Sequence, residues 1–209
     1  MKIKLLLFKV HRGDDMSRAI QEITDADYTH AALLVDESTN TISEAFFPHV
    51  RSRQLENSEL AGIDVFDISS TYPNFTPLTD AQVAGVLDYC AKAESLHVDY
   101  SIANLFRFLP CVRGVIGQAQ DTGVNSDVFC SQYAFDAVAR GGSVKLLNAP
   151  SYKLAPGYLQ WSSLLVPAPQ LSPIQGQPQS VAAKTSVIGK IQEAASVVES
   201  AIHQFTTKS

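Results

Sequence analysis

Nowhere in the 209 residues do 18 apolar residues run together, so no membrane-spanning helix is indicated. Cysteine is scarce. Cys90, Cys111 and Cys130 are odd in number and widely spaced, which fits neither a C-x-x-C metal site nor a complete disulfide set and leaves free thiols as the simplest reading. A basic excess is missing as well: 16 Lys and Arg stand against 21 Asp and Glu, a net charge of −5, without the cationic surface that tracking phosphates requires. Nucleic acid is therefore not an expected partner. There is no phosphate-cradling G-x-x-x-x-G-K, no dinucleotide fingerprint after a strand and no cluster of metal-ligand residues, so no cofactor is implied. Internal repeats are absent. The first apolar run, Leu5 to Phe8, is too short for a signal-peptide core and is bounded by Lys4 and Lys9, which makes the cytoplasm the default compartment and leaves non-standard export open.

Hydrophobic residues make up 45% of the chain and charged ones 18%, a globular composition. A domain of about 150 residues buries roughly 70% of its extended surface, so a core over residues 1–166 needs no metal or disulfide scaffold. Leu5 to Phe8 reads as a first strand, His11 to Asp15 as a polar turn, and Met16 to Ile23 as a short helix with Met16, Ala19, Ile20 and Ile23 at helical spacing. Tyr28–Val35 and Thr41–Phe47 flank the turn residues Asp36 to Asn40 and predict a hairpin of two largely buried strands. Pro48 ends that hairpin, and Ile63–Ile68 offers a third strand. Thr79 and Gln82 form a capping-box pattern that opens a helix striped with Val83, Val86, Leu87 and Cys90, which makes Cys90 a core residue. A second helix is expected over Ser101–Leu109, then a loose stretch marked by Gly114, Gly117 and Gly123, then a helix over Val128–Ala139 stopped by Gly141 and Gly142. Leu164 to Val166 close the domain as a last strand.

From Pro167 to Ser180 the composition turns to Pro, Gln and Ser, an extended linker. Residues 181–209 follow as an amphipathic tail helix, with Val187, Ile191, Ala194, Val198, Ala201 and Phe205 at alternating steps of four and three. Its apolar face is expected either to dock on its own domain or to pair with another copy as a homo-oligomer. Too few Lys and Arg line the polar face for a membrane-surface role.

Cys130 lies where the loop holding Gly123, Asn125, Ser126 and Asp127 passes into a helix, a setting that favours the thiolate, which is the nucleophilic form. Cys90 and Cys111 do not share that setting. A nucleophilic thiol needs a base, and His30 sits inside an otherwise apolar strand, where a ring is costly to bury without a partner. His11, His49, His97 and His203 read as surface residues. If the Asp36–Asn40 loop holds five residues, Val35 pairs with Thr41 and Ala32 with Glu44, which puts Glu44 on the same face as His30 and diagonally adjacent to it. Glu44 would then orient the imidazole that serves Cys130, with the Cys130 backbone N–H as one oxyanion donor and Ser131 and Gln132 equally readable as helix caps.

The pieces Ala19-Ile20-Gln21, Tyr28-Thr-His-Ala-Ala-Leu, Ser43-Glu-Ala with His49-Val50, Asp99-Tyr100, Phe129-Cys-Ser-Gln and Ala155-Pro156-Gly157 together resemble the YiiX-like branch of permuted NlpC-type, papain-fold cysteine peptidases, over about residues 3–166. The resemblance implies an α+β fold with a central antiparallel sheet packed against helices. It also implies catalytic roles for Cys130, His30 and Glu44, and a cleft near Tyr28, Asp99 and Tyr100; Asp99 and Tyr100 read equally well as a helix N-cap and a packing aromatic. The activity it implies is hydrolysis of an amide bond in a small peptide, cell-wall peptide or amidated amino acid, through a thioester and without a cofactor. Lipid acyl transfer or deacylation by the same triad, and a non-catalytic scaffold on the same fold, are the competing readings. Many relatives begin with a Gly-Asp turn that delivers the first strand. Here Gly13-Asp14 comes after that strand, and nothing past Pro167 matches the family pattern.

Overall fold

A computed structural model describes residues 2–9, 27–101 and 127–176. They form an α+β arrangement around one eight-stranded sheet: β1 (Lys4–Lys9), β2 (Tyr28–Asp36), β3 (Thr41–Phe46), β4 (His49–Gln54), β5 (Ile63–Ile68), β6 (Asp99–Tyr100), β7 (Asp127–Val128) and β8 (Leu165–Pro167). Their order in the sheet is β7-β6-β4-β3-β2-β1-β5-β8, and every pair is antiparallel except β6 with β7. Three helices accompany it, α1 (Asp80–Ser95), α2 (Cys130–Asp136) and α3 (Pro156–Leu159).

The central strands are buried on both faces, which is why β1 and β2 read as continuous apolar runs and not as alternating ones. Leu5, Leu7, Ala31 and Leu33 face one core cluster with Val86 and Cys90 of α1 and Tyr133 of α2. Leu6, Phe8, Ala32 and Leu34 face the other, with Ile42, Leu55, Leu60 and Leu171. The capping box on α1 is formed as the sequence predicts: Thr79 Oγ1 accepts from the Gln82 N–H and Gln82 Oε1 accepts from the Thr79 N–H.

Several boundaries differ from the sequence reading. Strand β4 was not anticipated, because its apolar content is one valine among His49, Arg51, Ser52, Arg53 and Gln54. Asp127–Val128 join the sheet as β7, so the helix expected from Val128 starts at Cys130, and after Asp136 it widens into a π turn over Ala137–Gly141. Asp99 and Tyr100, read either as cleft residues or as a helix cap and a packing aromatic, are the two residues of β6. The span expected to be a free linker from Pro167 is docked as far as Gly176: the Ala168 N–H donates to Val65 O, Leu171 is buried, and Asn57 Oδ1 and Nδ2 engage the N–H and C=O of Ile174. Backbone pairing and one leucine over the second core suffice to seat a segment whose composition alone reads as linker. The first compact unit of the chain runs to Gly176, and a second comprises residues 177–209. His11 and the helix over Met16–Ile23, residues 102–109 of the second helix, Cys111 and the glycines after it, residues 177–180 of the linker and the tail helix with His203 lie outside the described residues.

Two features of this frame position the candidate site. The β2–β3 ladder pairs Leu34 with Ile42 and Leu33 with Ser43 and ends there, although β2 stays paired with β1 down to Tyr28 and β3 with β4 down to Phe46. Below Leu33 and Ser43 the two strands have no ladder partner in each other, and α2 packs against both. On its far side, α2 is set by α1. A Cβ on Gly85 would overlap the carbonyl oxygen of Gly141, and one on Gly141 would lie 2.5 Å from Gly85 O, so backbone touches backbone where α1 crosses the end of the π turn.

Gly85→Ala is therefore expected to push α1 away from the cysteine helix at a cost of about 1–3 kcal/mol, the usual range for overpacking. Denaturant unfolding reads this directly, and wild-type stability in the variant would show that the crossing tolerates a methyl group. A chain ending at Pro167 is expected to be less stable than one ending at Gly176, because it uncovers the second core cluster and leaves Asn57 without the Ile174 backbone. Equal melting temperatures for the two would contradict that docking role.

Candidate active site

Glu44 is the anchor of the cluster. It lies on β3 with no exposed side-chain surface and accepts on both oxygens: Oε2 is 2.8 Å from His30 Nε2, and Oε1 takes Arg51 Nε (3.0 Å), Arg51 Nη2 (2.8 Å) and Arg53 Nε (2.7 Å). Burial alone pushes its carboxyl up, but the bond and charge of His30 and the charge of Arg53 outweigh that and hold it well below the ordinary range. It is ionised. The hairpin loop holds four residues, 37–40, and not the five expected, because Asp36 and not Val35 meets Thr41; the bulge at Val35 makes up the difference, so Leu33↔Ser43 and Leu34↔Ile42 keep the register that places Glu44 beside His30.

His30, with 17% of its side chain exposed, is held by Glu44 at Nε2 and edge-on by the rings of Phe8 (5.1 Å) and Phe46 (6.0 Å). That leaves Nδ1 for the Cys130 sulfur, to which the ring is hydrogen-bonded. Burial pushes the ring's affinity for a proton down; the sulfur's charge and hydrogen bond, then Glu44, more than reverse this and raise it to about 10. Cys130 opens α2, fully buried, after the extended Phe129. Burial pushes its thiol up, whereas the His30 charge and hydrogen bond and the backbone N–H groups of Ala31 and Ser131 bring it below its ordinary value. The Ala31 N–H is available to the sulfur because it lies on β2 where the ladder to β3 has ended. Tyr100 adds a further donor, its hydroxyl bonded to the sulfur; burial and the sulfur's negative charge keep the phenol protonated far above neutral pH.

The structure thus brings Cys130, His30, Glu44 and Tyr100 together. It takes Tyr28 elsewhere: the Tyr28 hydroxyl donates to Asp64 Oδ2 at 2.6 Å, on β5, beyond the β1 side of β2. Asp99 is exposed on β6. Neither Ser131 nor Gln132 caps α2. The Ser131 hydroxyl donates to Leu154 O at 2.6 Å, and the buried Gln132 Oε1 has no partner among the described residues. Sequence reasoning missed Arg51, Arg53 and the two phenylalanines. The signal for the arginines is their spacing, since residues two apart on one strand share a face, but it requires recognising β4 first.

Cys90 provides an internal contrast. It is buried beside Tyr133 and Ser43, whose hydroxyls lie 2.6 Å apart, and burial, with the charge of Glu94, raises its thiol against the lowering effect of those two hydroxyls. Among the described residues no group of three or more His, Cys, Asp or Glu is placed to hold a metal, and no helix is long and apolar enough to cross a membrane.

The pH dependence of the Cys130–His30 pair follows from its protons. In the unfolded chain the imidazole is charged below about 6.5 and the thiol ionises above about 9; the folded pair shares one proton from the lowered Cys130 value up to about 10. From the lowered Cys130 value up to 9 the folded pair keeps one proton, and above 9 the unfolded chain loses its last proton while the folded pair holds its own to about 10, so the stabilisation falls over that window. The unfolding free energy of the wild type minus that of the His30→Ala/Cys130→Ala double variant is expected to drop between pH 9 and 10, with an ultraviolet thiolate band already present below pH 9 that Cys130→Ala removes. A difference independent of pH, or no thiolate band, would contradict the shared proton.

Compared with known proteins, the chain matches no family model and no curated protein.

Proposed function

We propose that this chain is a cysteine hydrolase of the permuted NlpC-type, papain-like class, cleaving an amide bond of a peptide or amidated amino acid through a thioester. The observation that carries the reading is the unbroken line of hydrogen bonds from Cys130 through His30 to a fully buried, ionised Glu44. A thiol lowered by an imidazolium, which is itself held by a carboxylate, is the nucleophile, base and orienter arrangement of acyl-transfer enzymes.

In the first half-reaction the Cys130 thiolate attacks the carbonyl carbon, a carbon–sulfur bond forms, and the carbonyl electron pair moves onto oxygen. That oxyanion forms beside donors that now face the sulfur, and the Tyr100 hydroxyl, on a rotatable side chain, can follow the charge from sulfur to oxygen. Tyr100 therefore fills the role of second oxyanion donor. His30 gives its proton to the leaving nitrogen as the carbon–nitrogen bond breaks and the carbonyl re-forms as a thioester. In the second half-reaction neutral His30 takes a proton from water, the hydroxide adds to the thioester, and Cys130 departs as the thiolate, releasing the acid. Because Cys130 is fully shielded, the substrate carbonyl enters by displacing the Tyr100 hydroxyl from the sulfur.

Timed alkylation with iodoacetamide near pH 6, followed by peptide mass mapping, tests this reading. Cys130 is expected to react well ahead of Cys90, whose thiol is raised, and His30→Ala is expected to slow Cys130 by about tenfold or more, since a thiol shifted by one pH unit changes its thiolate fraction about tenfold. Equal reactivity of Cys130 and Cys90, or indifference to His30→Ala, would remove the case for a catalytic thiol and leave the non-catalytic scaffold reading.

A further inference from the structure

We propose that Arg51 and Arg53 are positioning residues of this site: together they pin one oxygen of Glu44, so that the carboxylate stays ionised and presents its other oxygen to His30. The inference rests on the cysteine-hydrolase reading of the same cluster. Three guanidinium N–H groups from β4 converge on Oε1 at 2.7–3.0 Å, which leaves Oε2 to His30 alone. A carboxylate held at one oxygen by two N–H groups of Arg51 and one of Arg53, and at the other by His30, cannot turn about its terminal bond, and a side chain that spreads several fixed N–H groups in one plane is specific to arginine.

The two arginines are anchored differently. Arg53 is three-quarters buried and gives both Nη atoms to Glu59, at 2.7 and 2.8 Å, so a second carboxylate holds it in place. Arg51 is more exposed and lies 4.2 Å over the ring of Phe46, the same ring that flanks His30 edge-on. One aromatic side chain thus fixes both a clamp and the base. The charged and titratable groups facing Glu44 are His30 from β2, Arg51 and Arg53 from β4, and Tyr100 and Cys130 from β6 and α2, with Glu59 behind Arg53. With His30 charged and Cys130 ionised, three cations face three anions. Removing either arginine leaves Glu44 fully buried with one cation fewer, and a missing opposite charge moves a carboxyl up.

Carbon-13 NMR of labelled Glu carboxyls, with Glu44 assigned by its absence in Glu44→Gln, gives the direct readout in the full chain. In Arg53→Met the Glu44 midpoint is expected to rise by about one pH unit or more, and in Arg51→Met to rise by less because water screens the more exposed site. In Arg53→Met the low-field proton on His30 Nε2 is expected to broaden; Arg53→Lys is expected to return the midpoint towards wild type, since the charge is restored, but not to sharpen that proton, because a lysine cannot engage Glu44 and both oxygens of Glu59 in one plane. An unmoved Glu44 midpoint in both methionine variants, or an unchanged His30 Nε2 proton in Arg53→Met, would overturn the assignment. Should Arg53→Met not fold, Arg51→Met alone decides, because its side chain is the more exposed. Iodoacetamide labelling of the wild type keeps the two ideas apart: a slow Cys130 sinks the hydrolase reading, whereas a fast Cys130 with an unmoved Glu44 sinks only the clamp.

Discussion

A carboxylate with no exposed surface keeps its charge only if fixed partners replace the water it has lost, and in this protein Glu44 imposes that condition on everything around it. Four N–H groups satisfy it, one from His30, two from Arg51 and one from Arg53. Each partner is in turn held: His30 by two phenylalanine rings and a sulfur, Arg53 by Glu59, Arg51 by Phe46. Breaking one member leaves a buried charge unpaired, so the cluster behaves as one unit, and single substitutions within it are not expected to add.

The sheet makes room for this cluster by stopping one ladder short. Had β2 and β3 stayed paired below Leu33 and Ser43, the Ala31 N–H on that edge would be spent on the ladder. It serves the sulfur instead, and α2 packs against both strands there. The frame is therefore largely apolar on both faces of the central strands, and the cluster of Cys130, His30 and Glu44 sits where the β2–β3 ladder ends. The contact between Gly85 and Gly141 belongs to the same logic, because it fixes the far end of the short segment that carries Cys130.

What could be read from the sequence is what local patterning controls. The long apolar runs, the capping box at Thr79 and Gln82, and the place of Cys130 at a helix start are local, and the described residues have them, although a strand, Asp127–Val128, stands just before that helix. The meeting of His30 with Glu44 was only half legible: turn length alone misleads, because the loop is one residue shorter than expected, and it is the register shift at the Val35 bulge, which no local pattern announces, that returns Glu44 to the face of His30. Strand β4 was not legible because the partners of its arginines are carboxylates 7, 9 and 6 residues distant on other elements, which no periodicity records. Tyr28 was misplaced because its attraction to Asp64 arises from strand order, β1 lying between β2 and β5. The docking of residues 167–176 was hidden for the same reason: a segment poor in large apolar residues is held by the backbone and by two asparagines far upstream.

The two buried cysteines show how far neighbours, and not burial, decide which way a thiol's ionisation moves. Cys90 and Cys130 are both enclosed, and burial raises both thiols. Around Cys90 the hydrogen bonds come from the neutral hydroxyls of Tyr133 and Ser43 and the anion of Glu94 adds to the effect of burial, so the balance stays with the neutral thiol. Around Cys130 an imidazolium, two backbone N–H groups and a phenol all stabilise negative sulfur, and the balance reverses. The difference between the raised thiol and the lowered one is then largely one cation kept charged in the interior. That cation persists because Glu44 faces it, and Glu44 stays ionised because His30 and two arginines surround it.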